Sequence, residues 1–192
     1  MKKLLILTAA ALFSLSTYAQ NWKLDKAHTK IQFVTKYLVI ADVEGDFKLF
    51  DGTFTSSKAD WSDLKADVSL DVSSISTENE MRDKHLKSDD FFNAEKFPMI
   101  IFKSKSVKML GNNKYVLIGD LTIRDVTKTV EIPVVYGGTV SDPWGNVKAG
   151  FKATGSIDRK DYGLKYSNAA KTGEAVVGDI VHFTIDIVLI KQ

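Results

Sequence analysis

Apolar side chains recur at every second position through most of this chain, and that period permits few folds. In residues 181–189, Val181, Phe183, Ile185, Ile187 and Leu189 fall on one side while His182, Thr184 and Asp186 fall on the other. The same spacing sets Ala66, Val68, Leu70 and Val72 opposite Lys65, Asp67, Ser69 and Asp71. It recurs in Thr29-Ile31-Phe33, in Val126, Val130, Ile132 and Val134, and in Ala149-Phe151-Ala153. A period of two belongs to an extended strand with one buried and one wet face. Turn-forming residues stand between the runs: Asp51-Gly52, Gly111-Asn112-Asn113, Gly137-Gly138 and Asp142-Pro143-Trp144-Gly145. Strands joined by short polar turns, without intervening helices, predict an antiparallel meander. With one apolar face per strand, such a meander must stack as a sandwich or close into a barrel.

The start of the chain, MKKLLILTAAALFSLSTYAQ, has a different character. Lys2 and Lys3 precede an apolar run from Leu4 to Leu15, and Thr17-Tyr18-Ala19 ends on a small residue, the pattern of a secretory signal peptide cleaved between Ala19 and Gln20. The run falls short of the ~20 residues that span a bilayer. Residues 1–19 are therefore expected to be removed, leaving 20–192 as one barrel domain, released and soluble in the periplasm or secreted, with no stable membrane insertion. Lys2 and Lys3 are the only charges lost, which takes 26 basic residues to 24 against 24 acidic ones. A net charge near zero provides no electrostatic footprint for nucleic acid. The chain has no cysteine, which excludes a disulfide framework, a thiolate nucleophile and a cysteine metal site.

One segment breaks the period of two. Thr77-Glu78-Asn79-Glu80 has the spacing of a capping box, with Thr77 as N-cap and Glu80 three residues on. Glu78 with Arg82, Glu80 with Lys84, and Asp83 with Lys87 stand acid before base at helical spacing, each pair adding about 0.2–0.5 kcal/mol to an isolated helix. MRDKHLKSDDFF, which by composition alone looks like a catalytic cluster, thus has a structural explanation. It predicts a short helix ending near Ser88-Asp89-Asp90, which Pro98 prevents from running into the next strand. Phe91, Phe92 and Phe97 must then be buried, and a helix followed by aromatics between two strands suits the closure of one barrel end.

Other chemistry finds little support. His28, His85 and His182 are scattered without the short, regular spacing of a metal site, so no metal and no cofactor are expected. No Gly-x-Ser-x-Gly elbow is present. His85 and Asp83 lie two apart, which on a helix does not bring them face to face. No catalytic residue is assigned. The alternative is a hydrolase or isomerase using Arg82, Asp83, His85, Arg159 or Asp161. Asp158-Arg159-Lys160-Asp161-Tyr162-Gly163 after a strand fits a charged turn and an Arg159–Asp161 pair facing a polar ligand head equally well.

Several segments together resemble the YceI-like family of periplasmic lipid- and polyisoprenoid-binding proteins. They are Leu24-Asp25 with His28-Thr29, Gly45-Asp46-Phe47, Met81-Arg82-Asp83-Lys84-His85-Leu86 with Phe91-Phe92, and Phe97-Pro98-Met99-Ile100-Ile101-Phe102. Then follow Gly119-Asp120-Leu121-Thr122-Ile123 with Val126-Thr127-Lys128, Asp142-Pro143-Trp144-Gly145 through Gly150-Phe151, Ile157 to Leu164, and Gly178-Asp179. Their order from about Trp22 to the C-terminus makes the match specific. Tyr37, Asp125 and Tyr162 depart from the family pattern, where His, Gly and Phe are common. The resemblance implies an all-β fold with a short helix, a lipocalin-like extended antiparallel β-barrel, whose lumen holds one long apolar molecule. It implies as ligand a polyisoprenoid, an isoprenoid quinone or a fatty-acid derivative, and no established catalysis. A homodimer is compatible with it.

The residues agree independently, since an eight-stranded barrel can just hold a small ligand. The expected lumen-facing side chains are Ile31, Phe33, Phe47, Leu49, Val68, Leu70, Ile100, Phe102, Leu117, Leu121, Ile132, Val134, Phe151, Phe183, Ile185 and Ile187. Arg82, His85, Arg159 and Asp161 are the candidates for contact with a head group.

Overall fold

Where the alternation runs, the computed structural model forms strands, and it describes residues 20–192; the expected signal peptide lies outside the described residues. In chain order the elements are β1 (Gln20–Leu24), β2 (Lys30–Tyr37), β3 (Ala41–Phe47), β4 (Phe50–Ser56), β5 (Lys65–Asp71), β6 (Ile75–Ser76), α1 (Glu80–Lys87), β7 (Met99–Gly111), β8 (Lys114–Ile123), β9 (Val126–Ser141), β10 (Val147–Asp158) and β11 (Val177–Lys191).

The first six strands are three long ones, each broken once. β1 and β2 lie on the same edge of β11, with Leu24 opposite Leu189 and Lys30 opposite Asp186. β4 pairs with β1 and β3 with β2, on either side of a kink at Lys48-Leu49. β5 pairs with β4 and β6 with β3, on either side of a 3-10 turn at Val72–Ser74. From β7 to β11 each strand pairs with the next. The pairing of β1 with β11 then closes an eight-stranded antiparallel barrel. Breaks of this kind let a twisted sheet bend enough to close.

Two of the four expected turns are real: Gly111-Asn112-Asn113 joins β7 to β8, and Asp142–Gly145 joins β9 to β10. The other two lie inside strands. Asp51-Gly52 sits in β4 opposite Ser69 and Val68. Gly137-Gly138 sits in β9, where the register against β10 shifts at Gly150/Phe151. Here the glycines serve a bulge and a bend, which share the residue chemistry of turns. The helix also starts differently. Asn79 is the N-cap and accepts from the Arg82 backbone N–H at 2.9 Å. Thr77 instead anchors the segment from outside: its backbone N–H donates to Asp83 at 2.8 Å, and its hydroxyl accepts from Arg82 Nε at 2.7 Å. The expected Glu78–Arg82, Glu80–Lys84 and Asp83–Lys87 pairs are absent among the ion pairs of the described residues; for the first and third, Arg82 and Asp83 turn back to Thr77 instead.

The core divides between the barrel's two ends. At one end Trp61 is buried against Trp22, Phe151 and Tyr136, with ring centroids 4.8, 4.9 and 5.9 Å away. Its loop, residues 57–64, is held by Asp63, which accepts from the Ser56 hydroxyl at 2.6 Å, from the Ser57 hydroxyl, and from the backbone N–H of Ser57 and Lys58. At the other end Phe91, Tyr162, Leu164 and Ile75 pack together beneath α1 and the loop after it.

Burial pushes the Asp63 carboxyl up, but the donors from Ser56, Ser57 and Lys58 outweigh it and hold the group well below the usual carboxylate range. A depressed carboxylate stabilises the fold fully above its unfolded value of about 3.9, and that stabilisation is lost as pH falls through the folded value. Asp63→Asn is therefore expected to melt below the wild type at neutral pH. The gap should narrow between about pH 5 and about pH 2; thermal melts showing a constant gap would contradict this account.

Gly119 and Gly155 make a second test. A Cβ on Gly119 would stand 2.5 Å from the Lys103 carbonyl oxygen, whereas on Gly155 it would meet only the Phe183 ring, at 2.5 Å. Backbone cannot yield as a ring can. Gly119→Ala should cost about 1–3 kcal/mol, and Gly155→Ala less, as read by urea denaturation.

Candidate functional site

The inward faces of these strands do not fill the barrel. They enclose a cavity of about 230 Å³. Its wall takes alternate residues from each strand: Ile31 and Phe33 from β2, Phe47 from β3, Val68 and Leu70 from β5, Ile100 and Phe102 from β7. Leu117 and Leu121 come from β8, Ile132 and Val134 from β9, Phe151 from β10, and Phe183, Ile185 and Ile187 from β11. An apolar cavity of ~150 Å³ already stays dry and accepts apolar guests.

Few polar side chains reach this wall, and three of the four have partners in the fold. The Thr35 hydroxyl faces the carbonyls of Gly178 and Ile180 at 3.2 and 3.1 Å. The Thr29 hydroxyl accepts from the Val188 N–H at 3.1 Å. Gln32 is solvent-exposed. Among the described residues Arg159 is the one charged residue of the wall, and it is 3% exposed. Its guanidinium donates to the carbonyls of Gly178, Leu164 and Val177 and to Asp179, at 2.9, 2.8, 3.3 and 2.9 Å. A buried cation needs such partners to avoid a desolvation penalty of several kcal/mol, and here they clasp the end of β10 to the start of β11.

The sequence-expected residues separate accordingly. Leu49 is the exception among the sixteen apolar ones: it lies outside the cavity, 60% exposed. It shares parity with Phe47, but the Lys48-Leu49 kink between β3 and β4 breaks the alternation and turns it outward. Of the four polar candidates, only Arg159 reaches the wall. Asp161 points away and pairs with Lys128 at 2.9 Å, so the expected Arg159–Asp161 pair does not form. His85 sits above the cavity with its ring edge-on to Phe91 and Tyr166, and its Nε2 is 2.7 Å from Asp90. Arg82 is held by Thr77. Of the polar residues named for a hydrolase or isomerase, Arg82 and Asp83 meet on Thr77 away from the wall, while His85, Arg159 and Asp161 each have other partners, so the five do not converge on the cavity. Among the described residues no group of three or more His, Cys, Asp or Glu could hold a metal ion, and no helix is long and apolar enough to cross a membrane.

Sequence reasoning missed Phe54, Leu64, Leu86, Ile157, Leu164 and Val177, all of which line the cavity. Phe54 was hidden by reading Asp51-Gly52 as a turn. Leu164 and Val177 flank the long connection between β10 and β11, where no periodicity exists to signal them. Phe91 and Phe92, expected only as a plug, form part of the wall itself.

Residues 22–189 match the YceI-like domain. The chain is 42% identical over 178 residues to UPF0312 protein plu2095 of Photorhabdus laumondii, covering 91% of this chain and 92% of that one. Its fold is similar to that of Burkholderia cenocepacia BcnA, with a TM-score of 0.75 at 25% identity over 86% of this chain and 98% of the other. It is also similar to a polyisoprenoid binding domain from Saccharophagus degradans, with a TM-score of 0.64 at 13% identity over 89% and 98%. On the span and strength of these matches, the chain belongs to the YceI-like family.

Proposed function

We propose that this protein is a non-catalytic carrier that holds one long apolar lipid in its lumen, working in the periplasm or after secretion once residues 1–19 are removed. The observation that carries this reading is the cavity of about 230 Å³ walled by aliphatic and aromatic side chains, with its one charged residue already bonded to the fold. The Saccharophagus degradans domain, named for polyisoprenoid binding, supports it through the shared fold alone. The lipid would be a polyisoprenoid, an isoprenoid quinone or a fatty-acid derivative.

The mechanism is burial. One five-carbon isoprene unit removed from water contributes about 4 kcal/mol gross, at ~0.8 kcal/mol per carbon. Association costs an estimated 4–15 kcal/mol, so about three to six units bring binding to a useful level. A head group then sets orientation and contributes little affinity. Organic extraction of the purified protein followed by mass spectrometry tests the proposal. An intact co-purified lipid supports a carrier, and repeated turnover of an added lipid would favour an enzyme.

Shortening the apolar tail of a bound lipid is expected to weaken binding steeply, while raising salt from low to physiological concentration changes it little. Arg159 is already satisfied within the fold, and salt screens only the exposed charges. Strong salt dependence with tolerance of shorter tails would show that a charged head group governs binding. His85→Ala should fold and still carry lipid, because His85 pairs with Asp90 at the surface and does not reach the wall. Loss of lipid from that variant on extraction would overturn this.

A further inference from the structure

Below the main cavity lies a second, much smaller one of about 10 Å³. The two share four wall residues, Leu64, Leu117, Val134 and Phe151, so the partition between them is one side chain thick. Trp61 lines the small cavity and not the large one. It is 4% exposed, packed on Trp22 and edge-on to Phe151. The residue also has a φ of 59°, in the left-handed region that a bulky side chain enters only where its surroundings over-determine it. Those surroundings are visible: Tyr115 Oη donates to the Asp60 carbonyl at 2.9 Å, and Asp63 gathers its donors from residues 56–58.

We propose that Trp61, set on this fixed loop, is the stop that limits how long a lipid tail the lumen accepts. The inference rests on the lipid-carrier function proposed above and adds a chain-length selectivity to it. Val177 and Ile187 are the first and last β11 residues on the wall, ten residues apart. Between Val177 and Val181 four residues of β11 face only two of β2, so the span is that of eight extended residues. At ~3.3 Å per residue and a strand tilt of ~40°, the lumen is about 20 Å deep. An isoprene unit extends a chain by about 5 Å, four carbon–carbon bonds of ~1.5 Å in zigzag. About four units reach the floor, and anything longer must leave its excess outside the mouth. The opposite end cannot set this limit, because the tail's remainder emerges there.

Leu64 governs the same boundary from the lumen side. It stands in both walls, so removing its side chain would merge the two cavities without removing any ring that packs on Trp61.

The test is a graded series of prenyl alcohols, from farnesol upward, measured by displacement of a fluorescent polyene fatty acid. For the wild type, each added unit should tighten binding by roughly tenfold or more until the floor is reached, then by little. In Trp61→Ala the gain should continue for about one further unit, while short alcohols bind as before. Leu64→Ala should move the cut-off in the same direction, and it decides the matter if Trp61→Ala does not fold. A cut-off unchanged in folded variants overturns the stop while leaving the carrier intact. A wild type that binds neither the fluorescent fatty acid nor any member of the series overturns the carrier reading and the stop together, whereas one that binds the fatty acid but no prenyl alcohol overturns the stop alone.

Discussion

The arrangement of this molecule depends on one edge of β11. A strand edge left open in water presents a row of unpaired backbone groups, and a barrel is the arrangement that removes edges altogether. Here β11 meets β10 on one side along eleven paired residues, from Lys148↔Ile190 to Asp158↔Ile180. On the other it must satisfy both β1 and β2, which share the edge around the break at residues 25–29. Val188 shows the demand being met inside that break: its carbonyl accepts from the Asp25 N–H, and its N–H donates to the Thr29 hydroxyl. Asp25 in turn takes Lys148 Nζ and His28 Nδ1, each at 2.9 Å. The hydrogen bond from Lys148 leads in lowering the Asp25 carboxyl below its ordinary value, against the opposing effect of burial.

Closure fixes the diameter, and the rings determine how much of the interior stays open. Phe33 lies over Gly45, Phe183 over Gly155 and Phe102 over Gly119, each so near that a Cβ on the glycine would come within 2.5 Å of the ring. A ring laid over a glycine on the neighbouring strand follows the wall instead of crossing the axis. Three large side chains that could have filled a core therefore line a lumen. The same economy governs charge. Arg159 is buried with its cation matched by Asp179 and three carbonyls, so its burial leaves no unpaired charge for a ligand to neutralise.

What the sequence revealed follows from what a period can and cannot encode. β5, β9, β10 and β11 each carry a clear alternating run, and that alternation identified nearly every apolar wall residue expected from them. The pattern carries no information where the backbone changes direction within a strand. Leu49 follows Phe47 in parity and still faces out, because the kink between β3 and β4 is set by pairing to two different neighbours. Gly52 and Gly138 have the composition of turns, yet their positions are decided by long-range ladders. The charges of α1 showed the same limit. Local spacing predicted helical ion pairs, whereas Arg82 and Asp83 found better partners on Thr77, in the approach to the helix. Arg159 was legible as a polar residue near the rim, but three of its four acceptors, residues 177–179, become neighbours only once β11 is in place.

The two ends of the barrel differ in what it takes to open them. The floor is knit by the tilted and edge-on rings of Trp22 and Phe151 around Trp61, which belong to β1 and β10, and by the donors gathered on Asp63, of which Ser56 belongs to β4. At the other end α1 buries no residue fully. The segment after it is held by Phe91 and by Arg124, whose guanidinium donates to the Asp89, Phe91 and Gly163 carbonyls and to the Asp89 carboxylate. These contacts join loop to turn, and no ladder hydrogen bond must break for them to part. Elements with few buried contacts open at a free energy well below that of global unfolding. Under the carrier function proposed above, an apolar guest would therefore exchange at the α1 end while the Trp61 end stays shut, leaving a threaded chain with a fixed inner terminus and a free outer one.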